Sequence, residues 1–165
     1  MNLFDQLRNR FNELYLYLMK QDELFCVGQK AVISKGNEVL ILHDPMPPPG
    51  AIDLPGGKIQ MGEKDFVKSL KREVYEETNL KIKIGRPFYT SFWEFPKGSN
   101  HRNQGKKIFL LFYLCKFISG QVKISSEHDW FKWVNKKNYK NVFTEKNNIY
   151  FALTEYFRMT DVETV

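Results

Sequence analysis

The chain has 165 residues, of which 42% are hydrophobic and 15% aromatic. This composition excludes a disordered chain and favours a single domain with a real core. The formal net charge is +6 at pH 7, which suits phosphate-bearing or nucleic-acid partners but also describes many ordinary soluble proteins. The two cysteines, Cys26 and Cys115, lie far apart in apolar runs, so we predict buried free thiols rather than a disulfide or metal site.

The first 20 residues predict an amphipathic helix over residues 2–20. Its apolar residues recur at helical spacing, namely Leu3, Leu7, Phe11, Leu14 and Leu18. The segment is too charged for a signal peptide or a membrane span, which favours a soluble cytoplasmic protein. We treat residues 1–24 as a helical extension of one domain whose core is residues 25–165. We expect the helix to pack on that core, and the alternative is a homodimer seam.

The remaining elements alternate between strand and helix. Residues 26–44 predict two strands around a turn, and the following "MPPPGAIDLPGG" is expected to be a loop, because proline fixes φ and removes a donor. A helix over 66–78 precedes two strands, "KIKIGRPFYTSFWEF" and "KKIFLLFYLCKF", and a further strand follows "QVKISSEHD". A closing helix over 144–159 turns inward Ile149, Leu153, Tyr156 and Phe157. This order indicates an α/β layer architecture with a mixed sheet.

The helix over 66–78 carries two distinct faces. Asp65 is a natural N-cap, and an apolar stripe that can face a sheet is formed by Phe66, Leu70 and Val74. A second face is acidic and consists of Glu73, Glu76 and Glu77. Like charges at this spacing destabilise a helix by roughly 0.2–0.5 kcal/mol per pair. The acidic face is therefore either solvated and paired with cations such as Arg72, or neutralised by something else.

The glycines before the helix favour neutralisation by a metal ion. Three carboxylates beside an irregular turn at Gly56 and Gly57 supply hard oxygen ligands and a free backbone carbonyl. Mg²⁺ and Mn²⁺ prefer such ligands, with waters or substrate phosphates completing the octahedron. The sequence has no His/Cys cluster that would indicate zinc. A bound cation would also offset the mutual repulsion of the carboxylates.

These residues resemble the Nudix box, G-x5-E-x7-R-E-U-x-E-E-x-G-U, in which U is a bulky aliphatic residue. The matches, in order, are Gly57, Glu63, Arg72, Glu73, Val74, Glu76, Glu77 and Leu80. The preceding "LPG" is also typical of the family. The order of elements around the box is similar to the Nudix fold, an α/β/α sandwich with a mixed β-sheet.

The sequence departs from the box at two positions. Eight residues rather than seven separate Glu63 from Arg72, and inside a helix one extra residue would rotate everything beyond it by about 100°. Counting back seven residues from Arg72 reaches the cap Asp65, so the extra residue, Lys64, is placed in the loop. The role of Glu63 in orienting the box is thereby put in question. Asn79 replaces the glycine that ends the helix, a mild change because Asn is the next best left-handed residue.

The resemblance implies a hydrolase that cleaves the pyrophosphate linkage of a nucleoside diphosphate derivative: a nucleoside triphosphate, a dinucleoside polyphosphate or a nucleotide sugar. It implies Mg²⁺ or Mn²⁺ as cofactor, held by Glu73, Glu76 and Glu77 with the Gly57 carbonyl as a further ligand. Glu76 and Arg72 belong to the implied catalytic set, and Arg72 would tether loop to helix by charge-assisted hydrogen bonds. Two alternatives remain, an RNA 5′-end pyrophosphohydrolase and a non-catalytic nucleotide-binding regulatory module.

The general base lies outside the box. The family often supplies it from a loop before a late strand that begins with Trp and a hydrophobic residue, and "SSEHDWFKWV" has that form. We predict that Glu127 is the base or an extra metal ligand. His128, whose unperturbed pKa of about 6.5 suits proton transfer, is the second candidate, and Glu94 the third.

The substrate is the part of the function that the sequence specifies least. Phe92 and its aromatic neighbours could stack on a base, although aromatic residues on strands are commonly core. His101 and Arg102 lie in the basic loop "KGSNHRNQGKK" and are predicted to attract substrate phosphates, unless the loop is merely solvated. These patterns identify no particular nucleotide.

Overall fold

The structure, a computed structural model, describes residues 3–19, 25–45, 51–94, 98 and 104–162. Three α-helices lie in this part of the chain: α1 (Leu3–Met19), α2 (Phe66–Thr78) and α3 (Asn148–Val162). The strands are β1 (Cys26–Lys35), β2 (Glu38–Asp44), β3 (Ala51–Asp53), β4 (Lys81–Glu94), β5 (Lys107–Ser119) and β6 (Trp130–Asn135). A 3₁₀ turn at Tyr139–Val142 precedes α3.

The described strands form one mixed sheet in the order β3-β2-β1-β5-β4, with β6 paired to β2. β1 and β5 run parallel, whereas the other pairs are antiparallel. Two apolar clusters cover the two faces of the sheet. One contains α2 residues Leu70 and Val74, and the other contains α3 residues Leu153 and Phe157. The predicted α/β/α sandwich with a mixed sheet is therefore confirmed.

Two predicted boundaries were wrong. The segment expected to be loop throughout includes β3, whose residue Ile52 is buried and pairs with His43 of β2. The closing helix spans Asn148–Val162 rather than residues 144–159, and it begins at Asn148 because the side chain of Asn147 accepts a hydrogen bond from the Tyr150 N–H at 3.0 Å. An asparagine in that position caps a helix and so fixes where it starts.

The buried face of α2, the helix that carries the acidic residues, differs from the predicted apolar face at one position. Leu70 and Val74 are fully buried as expected, but Phe66 is 47% exposed. The buried face of α2 instead continues through Ser69, Glu77 and Thr78. The contact with the sheet therefore follows the C-terminal part of the helix, which brings Glu77 into the protein.

The predicted packing of the N-terminal helix was wrong. α1 forms over almost the predicted range, yet its stripe residues Leu7, Phe11 and Leu14 are 58%, 77% and 55% exposed. α2 and α3 pack on the two faces of the sheet, and the described stripe residues of α1 are left exposed. No helix within the described ranges has both the length and the apolar character needed to cross a bilayer.

Candidate functional site

The acidic helix begins where the sequence predicted. The Asp65 carboxylate accepts hydrogen bonds from the N–H groups of Val67 and Lys68 at 3.1 and 3.0 Å. Asn79 ends the helix in the left-handed region, with φ 59°, and donates its N–H to the Tyr75 carbonyl. Lys64 lies before the cap, so the extra residue is absorbed by the loop and the register of α2 is unchanged.

Arg72 connects three of the four glutamates of the box. Its Nη2 lies 2.9 Å from Glu63 Oε1 and 2.8 Å from Glu73 Oε1, while its Nη1 lies 2.9 Å from Glu76 Oε2. The predicted tether between loop and helix is present, since Glu63 belongs to the loop and the other two acids to α2. Guanidinium forks suit this arrangement, because several N–H groups diverge from one rigid plane. Arg72 also reduces the repulsion between the carboxylates.

Glu63 keeps its place in this network despite the insertion before the helix. Its Oε2 accepts hydrogen bonds at 2.8 Å from the Gln60 N–H and from the Ser69 hydroxyl. These two bonds, together with Arg72, lower the pKa of Glu63 to about 2, because each favours the ionised carboxylate. Glu63 therefore fastens the glycine loop to the first turns of α2.

Glu77 is the buried member of the acidic face. Only 9% of the residue is exposed, and its Oε2 accepts a hydrogen bond from the Gly56 N–H at 2.8 Å. Burial raises the pKa of Glu77 to about 8, although the charge of Lys30 and the Gly56 hydrogen bond act in the opposite direction. A buried carboxylate that is costly to ionise gains from a nearby cation.

A partly buried ion pair lies beside Glu77. Lys30 Nζ contacts Asp53 Oδ2 at 2.6 Å and donates to the Leu54 carbonyl at 3.1 Å. Although burial alone lowers the pKa of Lys30, the charges of Asp53 and Glu77 more than offset this, and the pKa is raised. Lys30 is thus a fixed cation in the middle of β1. It favours the ionised form of Glu77.

The glycine loop approaches both the sheet and the acidic helix closely. A Cβ on Gly57 would lie 2.5 Å from the carboxylate carbon of Glu73, and one on Gly56 would lie 2.1 Å from the Gln29 carbonyl oxygen. The Gly57 carbonyl accepts a hydrogen bond from the Gln29 N–H at 2.8 Å, so the expectation of a free carbonyl was wrong. A carbonyl oxygen has two lone pairs, and one remains available to a further ligand.

The donor set fits a hard divalent cation in its chemistry, although the carboxylates do not converge on one point. Among the described residues, no group of three or more His, Cys, Asp or Glu side chains is arranged around a metal position. The reason is visible in the contacts, because Arg72 engages Glu73 and Glu76 while Glu77 turns to Gly56. The Glu76 side chain is 56% exposed, so it can exchange Arg72 for another cation without disturbing the core.

The loop before β6 is fastened to the end of the acidic helix. The Ser125 N–H donates to the Glu77 carbonyl at 3.1 Å, and the Lys123 N–H donates to the Thr78 carbonyl at 3.0 Å. Glu127, the predicted base, is exposed two residues beyond Ser125. His128 is buried, and burial lowers its pKa. Its Nδ1 makes no hydrogen bond within the described structure.

The other predicted site residues lie on β4 or outside the described ranges. Phe92 is 48% exposed on β4, where its ring meets Phe25 edge-on at 5.6 Å. Glu94 is exposed at the end of the same strand. His101 and Arg102 lie outside the described residues.

Several polar residues near the site were not predicted from the sequence. Lys30 and Asp53 form the partly buried pair, and His43 Nδ1 contacts Asp129 Oδ1 at 2.6 Å while its ring stacks on Trp130. The available signal was a polar side chain inside an apolar strand, as in "CVGQKAVISK". Such a signal shows that a residue is unusual, but it does not identify its partner.

A three-layer α/β/α fold, in which a glycine loop is fastened by Arg72 to a helix with an acidic face, defines a Nudix domain. Comparison with known families agrees: the NUDIX domain family matches residues 26–154, and the chain belongs to this family.

The chain is also similar to two curated proteins. The chain is 27% identical over 141 residues to a protein named NAD-capped RNA hydrolase NudC from Mannheimia succiniciproducens, covering 80% of this chain and 48% of that protein. A protein of the same name from Actinobacillus succinogenes is 25% identical over 109 residues, which is 63% of this chain and 37% of that protein. The chain thus spans about half the length, or less, of these curated relatives.

Two solved structures illustrate the likeness in fold. A MutT protein from Methanosarcina mazei superposes with a TM-score of 0.64 at 25% identity, covering 87% of this chain and 97% of that one. An Ap4A hydrolase from C. elegans superposes with a TM-score of 0.65 at 23% identity, covering 82% and 98%.

Proposed function

We propose that the chain is a divalent-metal-dependent hydrolase that cleaves the pyrophosphate linkage of a nucleoside diphosphate derivative. The observation that carries the proposal is the set of four glutamates around Arg72 and Gly56. Three of them accept hydrogen bonds from the Arg72 guanidinium. The fourth, Glu77, is buried and accepts a hydrogen bond from the Gly56 N–H. A non-catalytic nucleotide-binding module would have no need to hold so many mutually repelling carboxylates at one place. Membership of the family supports the same assignment.

We assign Glu73, Glu76 and Glu77 as the residues that would hold Mg²⁺ or Mn²⁺, with the second lone pair of the Gly57 carbonyl as a further ligand. When bound, such ions neutralise charge developing on phosphate oxygens and acidify an attacking water. The protein's own residues do the positioning. Arg72 and Glu63 fix the loop against the helix, and Lys30 favours the ionised form of Glu77.

Glu127 is the proposed general base. The Ser125–Glu77 hydrogen bond holds its loop at the C-terminal end of α2. Because Glu127 is exposed, its carboxylate can reach a water above the acidic face and remove its proton. We also propose that the rest of the substrate contacts Phe92, His101 and Arg102.

The proposal is tested by measuring release of phosphate, pyrophosphate and nucleoside monophosphate from a panel of substrates with Mg²⁺ or Mn²⁺. The panel contains nucleoside triphosphates, a dinucleoside tetraphosphate, nucleotide sugars and NAD. Glu77→Gln is expected to abolish turnover, because it replaces a charged ligand with a neutral isostere. Glu145→Gln, an exposed glutamate in the loop before α3, is the matched control. Wild-type turnover by Glu77→Gln would refute the metal assignment.

A second candidate substrate is the 5′ end of RNA. It is favoured by the names of the two curated relatives and by the net charge of +6. Adding NAD-capped and triphosphorylated RNA to the panel tests it directly. An RNA substrate predicts that kcat/KM falls steeply with salt, because contacts to the backbone release counterions. Equal salt dependence for RNA and for free NAD would exclude recognition of the RNA chain.

A further inference from the structure

We propose that α1 is a homodimerisation element, whose apolar stripe pairs with α1 of a second copy of this chain. The stripe consists of Phe4, Leu7, Phe11, Leu14 and Leu18, with spacings of three, four, three and four residues. This is the a/d pattern of a two-stranded coiled coil, in which apolar residues repeat every 3.5 residues. A helix packed on a sheet would need only the broader 3.6-residue periodicity.

The stripe residues whose side chains the structure describes are exposed in the single chain. Phe4 and Phe11 are 82% and 77% exposed, and Leu7 and Leu14 are 58% and 55% exposed. Monomeric soluble proteins rarely expose a contiguous apolar patch of more than a few hundred Å². The helix also lies outside residues 26–154, which the NUDIX domain family matches. In the structure the domain leaves these residues uncovered, so that a second copy of the chain can cover them.

The exposed area suits pairing with a second copy. Tyr15 and Tyr17, at the e and g positions beside the stripe, are 59% and 61% exposed. Aromatic side chains offer about 150–250 Å² each. With these tyrosines the described stripe residues present roughly 600 Å² per chain, or roughly 1,200 Å² for a pair, at the lower end of stable interfaces. Two heptads give a weak, concentration-dependent dimer, since longer repeats are needed for an independent coiled coil.

The charges of α1 favour a helical partner over a lipid surface. Asp5 and Glu13 balance Arg8 and Arg10, so Leu3–Met19 has no net charge. A helix that binds anionic lipid is usually rich in Lys and Arg on its polar face. In a parallel pair, Arg10 at position g lies opposite Tyr15 at position e of the second copy, where the guanidinium can pack on the aromatic ring. The helix thus complements itself.

The test measures molar mass by sedimentation equilibrium, with full-length wild type and single variants compared from low to high micromolar concentration. Leu7→Glu and Leu14→Glu are each expected to weaken association roughly tenfold or more, because a buried leucine would be replaced by a charge. Leu16→Glu is the matched control: it makes the same change on the same helix at a residue that is 59% exposed, but at position f, away from the stripe. It should associate like wild type.

Four outcomes would overturn the proposal. They are a monomeric wild type at every concentration, a dimer that survives Leu7→Glu and Leu14→Glu, an equal effect of Leu16→Glu, and sedimentation of wild type with phosphatidylglycerol vesicles in place of self-association. Far-ultraviolet circular dichroism of each variant establishes that the domain is folded. The readout is mass rather than turnover, so the result does not depend on the proposed enzymatic activity.

Discussion

Arg72 and Glu63 remain paired although eight residues rather than seven separate them. Both Nε and Nη2 of Arg72 donate to Glu63 Oε1, at 3.2 and 2.9 Å. The extra residue, Lys64, lies between Glu63 and the cap Asp65, where the loop can lengthen without rotating the helix. The insertion that put the role of Glu63 in question is therefore accommodated by the loop alone.

The first prediction concerns acid stability. The pKa of Glu63 is lowered to about 2 in the folded protein from an ordinary value of 4.5. Its ionised form therefore stabilises the fold at pH values above about 4.5, and this contribution is lost as the pH falls toward 2. Glu63→Gln should lower the urea midpoint at pH 6 and have a much smaller effect at pH 2.5. An effect that does not change with pH would show that the carboxylate charge is not responsible.

The second prediction concerns the opposite shift at Glu77. Burial raises its pKa to about 8, so the folded state holds a proton that the unfolded state has released. The stability that this bound proton contributes is fully present below about pH 4.5 and is lost as the pH rises through 8. In chelator, Glu77→Gln should therefore be more stable than wild type at pH 9, with the difference shrinking toward pH 5. Thermal unfolding at these pH values measures it.

Added metal should reverse the difference in stability between Glu77→Gln and wild type. A ligand that binds only the folded state raises stability in proportion to the logarithm of its concentration above Kd. Mg²⁺ or Mn²⁺ should raise the unfolding temperature of wild type at pH 8–9 but leave Glu77→Gln almost unchanged. Equal stabilisation of both proteins would mean that the ion binds elsewhere.

The third prediction separates two adjacent glycines. Gly57→Ala should reduce turnover with a small loss of stability, because the three atoms nearest to its Cβ all belong to the end of the Glu73 side chain, which can move. Gly56→Ala should lower the unfolding temperature by roughly 5 °C or more. The φ of Gly56 is 140°, which strains any other residue, and the added Cβ would lie 2.1 Å from the Gln29 carbonyl oxygen, a backbone atom that cannot easily move away. Steady-state kinetics and thermal unfolding of both variants distinguish the two effects, and equal unfolding temperatures would contradict this reading.

The fourth prediction concerns the base. Glu127→Gln should lower kcat by roughly 10²–10⁴, the usual contribution of general acid–base catalysis, while the metal concentration for half-maximal activity changes little. Glu145→Gln, at an exposed loop position, is the matched control and should retain near wild-type kcat. A large loss of metal affinity in Glu127→Gln would make it a ligand instead, and normal kinetics would transfer the role to His128.

The sequence predicted best the features set by local interactions. The cap at Asp65, the left-handed Asn79 and the bounds of α2 depend on residues within a few positions of one another, and all were confirmed. Lys30 and Asp53 are 23 positions apart, and Gly56 and Glu77 are 21 apart. Such pairs depend on how β1, β3 and α2 come together, which no local pattern encodes.

For the N-terminal helix, the sequence predicted the helix itself but not what its apolar face contacts. The repeat of apolar residues established that α1 has a face to bury, and the helix is present. The pattern could not identify what covers that face, because its choice depends on whether the sheet has room. In the structure α2 and α3 pack on the two faces of the sheet, whereas the described stripe residues of α1 stay exposed.

Because Cys115 is buried, the reactivity of its thiol can be used to measure opening of the sheet. This thiol lies on β5 between β1 and β4, is 2% exposed, and has its pKa raised by burial to about 12. Since only the thiolate reacts, alkylating reagents should leave Cys115 untouched until the sheet separates. Cys26, which was predicted to be buried but is partly exposed, should be labelled first, and the rate of the slower second phase then measures how often the sheet opens around Cys115.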